Sequence, residues 1–168
     1  MLTYASNSDG KVYYTPNKNY RSASQAWLYR MGMLEELGKS VPSTTDELYD
    51  LLKAYKDAYP DSIPIANRWG FNNLLSGFAL AFRTNTNFFF DPDMQQLEYG
   101  PATDKFRDML VYVEKLYAEG LIDPEFQTAT DTQWEEIYAN GLNITEYSYT
   151  NRAVWANNTM KNADPNAD

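Results

Sequence analysis

Neither cysteine nor histidine occurs among the 168 residues. Without cysteine the chain has no thiol nucleophile, no disulfide framework and no Cys-ligated zinc. Without histidine, a Ser-His-Asp triad and a His-ligated zinc or haem are closed to it. Positive charge is in short supply too: 14 Lys and Arg stand against 23 Asp and Glu, for a formal net charge of -9 and a pI near 4.5. Phosphate backbones and anionic membrane surfaces are repelled by such a chain, so nucleic acid is not an expected partner. No apolar run approaches the roughly 20 residues that span a bilayer, and Met1 to Ser6 lack the charged-then-apolar pattern of a signal. Glycine-rich phosphate loops and internal repeats are also absent.

Aromatic side chains are plentiful instead. With 14 Tyr, 8 Phe and 4 Trp, much of the apolar area carries a polar tip, which suits stacking surfaces as well as cores. A chain of this length buries enough surface to fold as one domain without a staple.

Along the chain, Asn7 to Gly10 reads as a turn feeding a short strand from Val12 that Pro16 stops, followed by loop over 17–25. Ala26 to Arg30 reads as a buried strand, and a small helix follows to Leu37, closed by Gly38. Thr44 and Glu47 fit a capping box, and Leu48, Leu51, Leu52, Tyr55 and Tyr59 form a helical stripe behind it. Ser62 to Ala66 is a brief strand that Pro64 confines near an edge, and Asn73 to Phe82 is a buried helix. Phe88–Phe90 and Leu97–Gly100 pair as a hairpin. The spacing of Phe106, Met109, Leu110, Val113, Leu116 and Tyr117 behind a Thr103 cap predicts a strongly amphipathic helix that Gly120 ends. A helix over Asp131–Ala139, a strand over 142–149 and a last helix over about 151–161 complete an α/β order, with α+β the other option.

Several of these phrases, in this order, resemble the extracellular solute-binding proteins of bacterial ABC importers. The similarity is to the maltose-binding-like, lipoprotein-type sugar binders. The phrases are Asp9-Gly10-Lys11-Val12-Tyr13, Trp27-Leu28-Tyr29-Arg30 with Leu34 to Gly38, Val41 to Leu48, and Ile63-Pro64-Ile65. They continue with Tyr117 to Phe126, Ala139-Asn140-Gly141, and Met160 to Asp168. The resemblance implies a helix-rich lobe of the periplasmic-binding-protein-like type II fold, with a small central sheet packed by helices. It implies a single domain over 1–168 that is one lobe of a two-lobed protein, the second lobe lying outside this chain. It further implies a mono- or oligosaccharide ligand, an ABC permease as partner through the full-length protein, and an extracellular or periplasmic site with a lipoprotein anchor. Many lipoprotein-type relatives carry an acidic, glycine-containing calcium loop before the Ile-Pro strand. Only Tyr59-Pro60-Asp61-Ser62 stands there, too few oxygen ligands for calcium, so neither metal nor cofactor is expected.

Two segments draw attention as ligand-facing. Asn67 to Asn73 follows a strand and precedes a buried helix, a loop position where Arg68, Trp69 and Phe71 are hard to explain as core; the matching loop in the resembled family faces the ligand. Glu146 to Arg152 lies where a strand runs into a helix, and Glu146, Tyr149, Asn151 and Trp155 are its candidates. Core packing is the competing reading for each large ring. Tyr29 and Arg30 sit where the family's equivalent strand nears the cleft, with Arg30 expected as a structural ion-pair partner. No catalytic residue is assigned. The alternatives are a small glycoside hydrolase using Glu146 as general acid, or a helical protein-interaction domain. Glu35-Glu36 and Glu135-Glu136 are helix neighbours that do not face one another, hence solvated rather than paired.

Overall fold

A computed structural model describes residues 7–13 and 25–163. Its sheet has three strands in the order β1-β5-β2: β1 (Gln25–Tyr29), β5 (Thr145–Tyr149) and β2 (Ile65–Ala66). The central β5 runs antiparallel to β1, pairing Gln25 with Tyr149 and Tyr29 with Thr145, and parallel to β2. Helices α1 (Met31–Glu36), α2 (Thr45–Ala58), α3 (Gly70–Ala79), α4 (Asp104–Ala118), α5 (Asp131–Ala139) and α6 (Arg152–Ala163) surround it. A separate hairpin, β3 (Phe88–Asp91) and β4 (Gln96–Tyr99), precedes α4. Among the described residues no helix is long and apolar enough to cross a membrane.

Helix starts follow the sequence closely, because capping is local chemistry. Thr44 accepts the Glu47 N–H while Glu47 accepts the Thr44 N–H, a complete capping box, and Thr103 accepts the Phe106 N–H at 3.2 Å. A further capping box, with Thr130 as N-cap and Gln133, starts α5.

Alternation along β5 sends its side chains to two sides. Tyr147 meets Trp27, which meets Phe78 of α3, over a core built from Leu48, Leu51 and Leu52 of α2, Leu74 and Phe78 of α3, and Met109, Val113 and Leu116 of α4. Gly77 lets α3 approach this closely: a Cβ there would lie 2.9 Å from Cβ of Tyr147, and its carbonyl accepts the Trp27 indole N–H at 2.9 Å. On the other side Glu146 meets a second cluster, in which Trp134 and Tyr138 of α5 pack with Ala66, Ile137 and Ala156.

Some expectations change. The turn at Asn7–Gly10 forms, with the Gly10 N–H donating to Asn7 O at 2.8 Å, but Lys11–Tyr13 are not in a strand; Tyr14 to Pro16 lie outside the described residues, as does most of the expected 17–25 loop. β1 is half-buried rather than buried, and β2 has two residues. Tyr117 departs from the buried stripe of α4 and stands half-exposed against Phe126. Arg30 is a clamp for carbonyls, not an ion-pair partner: its Nη1 donates to Gly141 O at 2.7 Å and to Asn143 O at 3.4 Å, which fastens the turn before β5.

Candidate functional site

The chain leaving β2 is pinned by Asn67, a buried residue whose amide donates to Gly70 O and Phe126 O, each at 3.1 Å. Pinning this turn forces an unusual backbone. Trp69 and Gly70 both take left-handed conformations, φ 66° and 73°, and for a bulky residue such as Trp69 that is a strained state costing about 1–3 kcal/mol. Its effect is to start α3 three residues earlier than the periodicity indicates and to hold the Trp69 indole outward, 45% exposed. In the first turn of α3 the Phe71 amide donates to Gln127 Oε1 at 3.0 Å.

Beneath Trp69 lies Arg68, 4% exposed, its guanidinium carbon 3.8 Å from the centre of the Trp69 ring and 4.4 Å from that of Trp134. Such a sandwich between two indoles is a cation–π arrangement that fixes both rings. The acidic partner of Arg68 is Asp131 at the start of α5, at 3.7 Å, and its Nε is buried without a partner. Burial lowers its pKa, as does the charge of Arg152, while Asp131, Glu146 and Glu135 oppose the shift.

Behind Trp134 sits Glu146, 1% exposed. Its Oε2 accepts the Trp134 indole N–H at 2.8 Å and Oε1 has no partner. Burial raises its pKa, against the hydrogen bond from Trp134 and the charge of Arg68. Burial also pushes the Tyr138 phenol well up, with the Glu146 charge beside it adding to the shift. Trp155 stacks on Trp134 with centroids 4.7 Å apart and planes 17° apart, and Arg152 leans over both indoles at 5.8 and 5.6 Å. Tyr149, half-exposed at the end of β5, meets Trp69 edge-on at 5.5 Å.

Five of the residues singled out in the sequence therefore meet: Arg68, Trp69, Glu146, Tyr149 and Trp155. They come from two segments almost eighty positions apart, joined by Trp134. Within the group Trp69 and Tyr149 are exposed, Trp155 is half-buried against Trp134, and Glu146 is enclosed. Phe71 is not part of this group. It is 40% exposed and lies in α3, tilted onto Phe126 in a separate apolar cleft of about 470 Å³ between α3 and α4. Asn151 is exposed just before α6 and makes no side-chain hydrogen bond among the described residues. Sequence reasoning does not single out Trp134 or Asp131 as site residues, and it names Asn67 as part of its loop without the pinning role. Trp134 carried a usable signal: a Trp in an otherwise polar helix, at the spacing that faces the sheet with Ile137 and Tyr138. Among the described residues no group of three or more acidic side chains gathers as a metal ion would need.

No family model matches the chain. By sequence it is similar to two proteins of Bacillus subtilis (strain 168). One is the polygalacturonan/rhamnogalacturonan-binding protein YtcQ, 28% identical over 79% of this chain and 28% of that protein. The other is lipoprotein LipO, 26% identical over 82% of this chain and 29% of that protein. By structure it is similar to the alginate-binding protein AlgQ2, solved without calcium ion, with a TM-score of 0.76 and 22% identity over 95% of this chain and 34% of that one. The chain thus has the fold of part of a solute-binding protein, a small sheet packed by helices as the resemblance implied, and spans less than a third of the curated relatives' length.

Proposed function

We propose that this chain forms one wall of a carbohydrate-binding cleft in a two-lobed solute-binding protein that delivers its ligand to an ABC permease. The observation that carries the reading is Trp69: a large ring held outward by a strained backbone, braced from below by Arg68, and flanked edge-on by Tyr149. Sugar rings stack their apolar faces on such indoles while polar groups nearby meet the hydroxyls. YtcQ and AlgQ2 are named for the polysaccharides they bind, and the relatives reported above are binding proteins or a lipoprotein rather than enzymes, in keeping with the same reading.

On this reading 1–168 is one lobe, closure against the other lobe completes the site, and differential contacts in the closed state drive the hinge motion. The protein works outside the cytoplasmic membrane, held there by a lipid anchor on the full-length protein. Catalysis by Glu146 is disfavoured by its place: the carboxylate is enclosed beneath Trp134, and no ligand bond could reach Oε2 without displacing that indole.

The test is a titration of this chain with neutral and acidic oligosaccharides, read by tryptophan fluorescence. Binding should saturate and should weaken at least tenfold in Trp69→Ala, with the far-UV CD spectrum unchanged. Turnover of any oligosaccharide that is abolished by Glu146→Gln would overturn the binding reading in favour of the hydrolase.

A further inference from the structure

The ladder between β2 and β5 ends at the pair Ala66 and Glu146. Trp69 and Tyr149 each stand three residues beyond that pair, and still their rings meet edge-on at 5.5 Å. Backbone pairing does not carry them there. The chain leaving Ala66 bends through left-handed conformations at Trp69 and Gly70, and among the described residues no backbone hydrogen bond joins 67–69 to 147–149. The contact on one side of the turn, Arg68 between the Trp69 and Trp134 rings, reaches β5 only through the bond from Trp134 to Glu146.

A side chain takes over where the backbone stops. Asn73, in the first turn of α3, donates from Nδ2 to Tyr147 O at 3.2 Å and to Asn67 Oδ1 at 3.4 Å. Asn67 and Tyr147 are the first residues past the last ladder pair, so this one amide makes the next rung. Asn67 in turn pins the bend through Gly70 O and Phe126 O. The Asn73 Oδ1 accepts the Gln25 side-chain amide at 3.0 Å, and Gln25 is the partner of Tyr149 in the β1–β5 register. Asn73 thereby ties β1, β5 and the exit from β2 at one end of the sheet. An amide nitrogen has two N–H donors, and the bonds to Tyr147 and Asn67 account for both, which leaves none for a ligand.

We infer that Asn73 is a positioning residue of the sugar site: it sets Trp69 against Tyr149 before a ligand arrives and touches no ligand itself. A pair of rings already held at the bound spacing spares the ligand the cost of ordering them, and a loosened pair loses affinity although both rings remain. This rests on the carbohydrate-binding reading above and adds what holds the site in shape.

Asn73→Asp cuts the rung and keeps the helix: it removes both donors, retains an acceptor for Gln25, and places a carboxylate in the first turn of α3, where the helix dipole favours one. In NMR spectra of the free chain, the nuclear Overhauser contact between the Trp69 and Tyr149 rings should weaken in this variant, while that between Trp27 and Phe78 in the core holds. Titrated with trigalacturonate and with stachyose, the variant should bind about tenfold more weakly than the parent, the scale of one or two lost hydrogen bonds. Adding Asn73→Asp to Trp69→Ala should cost nothing further, since a residue that acts through the indole has no effect once the indole is gone. Gln25→Ala, which spares the rung and removes its brace, should show the same changes to a smaller degree. An unchanged ring contact or affinity in both Asn73→Asp and Gln25→Ala, or a loss that adds in full to that of Trp69→Ala, overturns the inference and leaves the carbohydrate reading standing. If the parent chain binds neither sugar, the carbohydrate reading itself fails and takes the inference with it.

Discussion

The two sides of β5 are built to different rules. Toward α2, α3 and α4 the contacts are leucine, methionine and phenylalanine, with the polar tips that reach inward paired: Trp27 to Gly77 O, Tyr112 to Thr45 O at 2.6 Å. Toward α5 and α6 the contacts are indoles, phenol, guanidinium and carboxylate, and buried polar atoms remain without partners, among them Arg68 Nε, Glu146 Oε1 and Ser148 Oγ. A buried polar group left without a partner costs stability, typically about 1–3 kcal/mol. The aliphatic side carries the larger core; the aromatic and charged side sets Arg68 against the Trp69 and Trp134 rings.

That contrast can be broken from the aliphatic side with the largest effects. Leu52→Ala, at a fully buried position of α2, should destabilise by about 2–5 kcal/mol in a denaturant titration. Gly77→Val drives a branched side chain into Tyr147 and Trp27, and a loss of about 1–3 kcal/mol should appear in the same measurement.

Glu146→Gln should go the other way, and only at higher pH. Burial raises the carboxyl pKa in the folded state, so the stability linked to its protonated form is complete below the ordinary value of 4.5 and is lost as pH climbs through the raised folded pKa. The glutamine variant escapes this loss. Its advantage over the parent should grow from about pH 4.5 upward at no more than about 1.4 kcal/mol per pH unit, then level off, as read from unfolding free energies across pH. An advantage independent of pH would mean that the carboxylate is better solvated than its burial indicates. Smallest of all on stability is Trp69→Ala, expected at under about 1 kcal/mol from the lost cation–π contact, although its effect on sugar binding should be large.

The same division explains what could be read from the sequence. Thr44, Thr103 and the stripe from Phe106 to Leu116 announce themselves because caps and helical period act within a turn or two of the chain. The start of α3 does not, since Phe71 enters the helix on an amide held by Gln127 and a turn pinned by Asn67 to Phe126, partners more than fifty residues away. Trp69 and Tyr149 could be named as exposed aromatics at strand ends, but not that they touch. The spacing of Trp134 marks it as facing the sheet, but not that Arg68 and Glu146, far apart in the chain, both meet it. Phe71, two positions from Trp69, looked like its companion; entering the helix turned it toward Phe126 and a different cleft.

The most direct test maps where a sugar lands. Backbone and indole NMR shifts of this chain, followed during addition of trigalacturonate, should move at Trp69, Tyr149 and the first turns of α3 and α6, while Leu52, Met109 and Leu116 stay fixed. Shifts centred instead on the Phe71–Phe126 cleft, with Trp69 and Tyr149 unmoved, would contradict the assignment of function to the aromatic and charged side of β5.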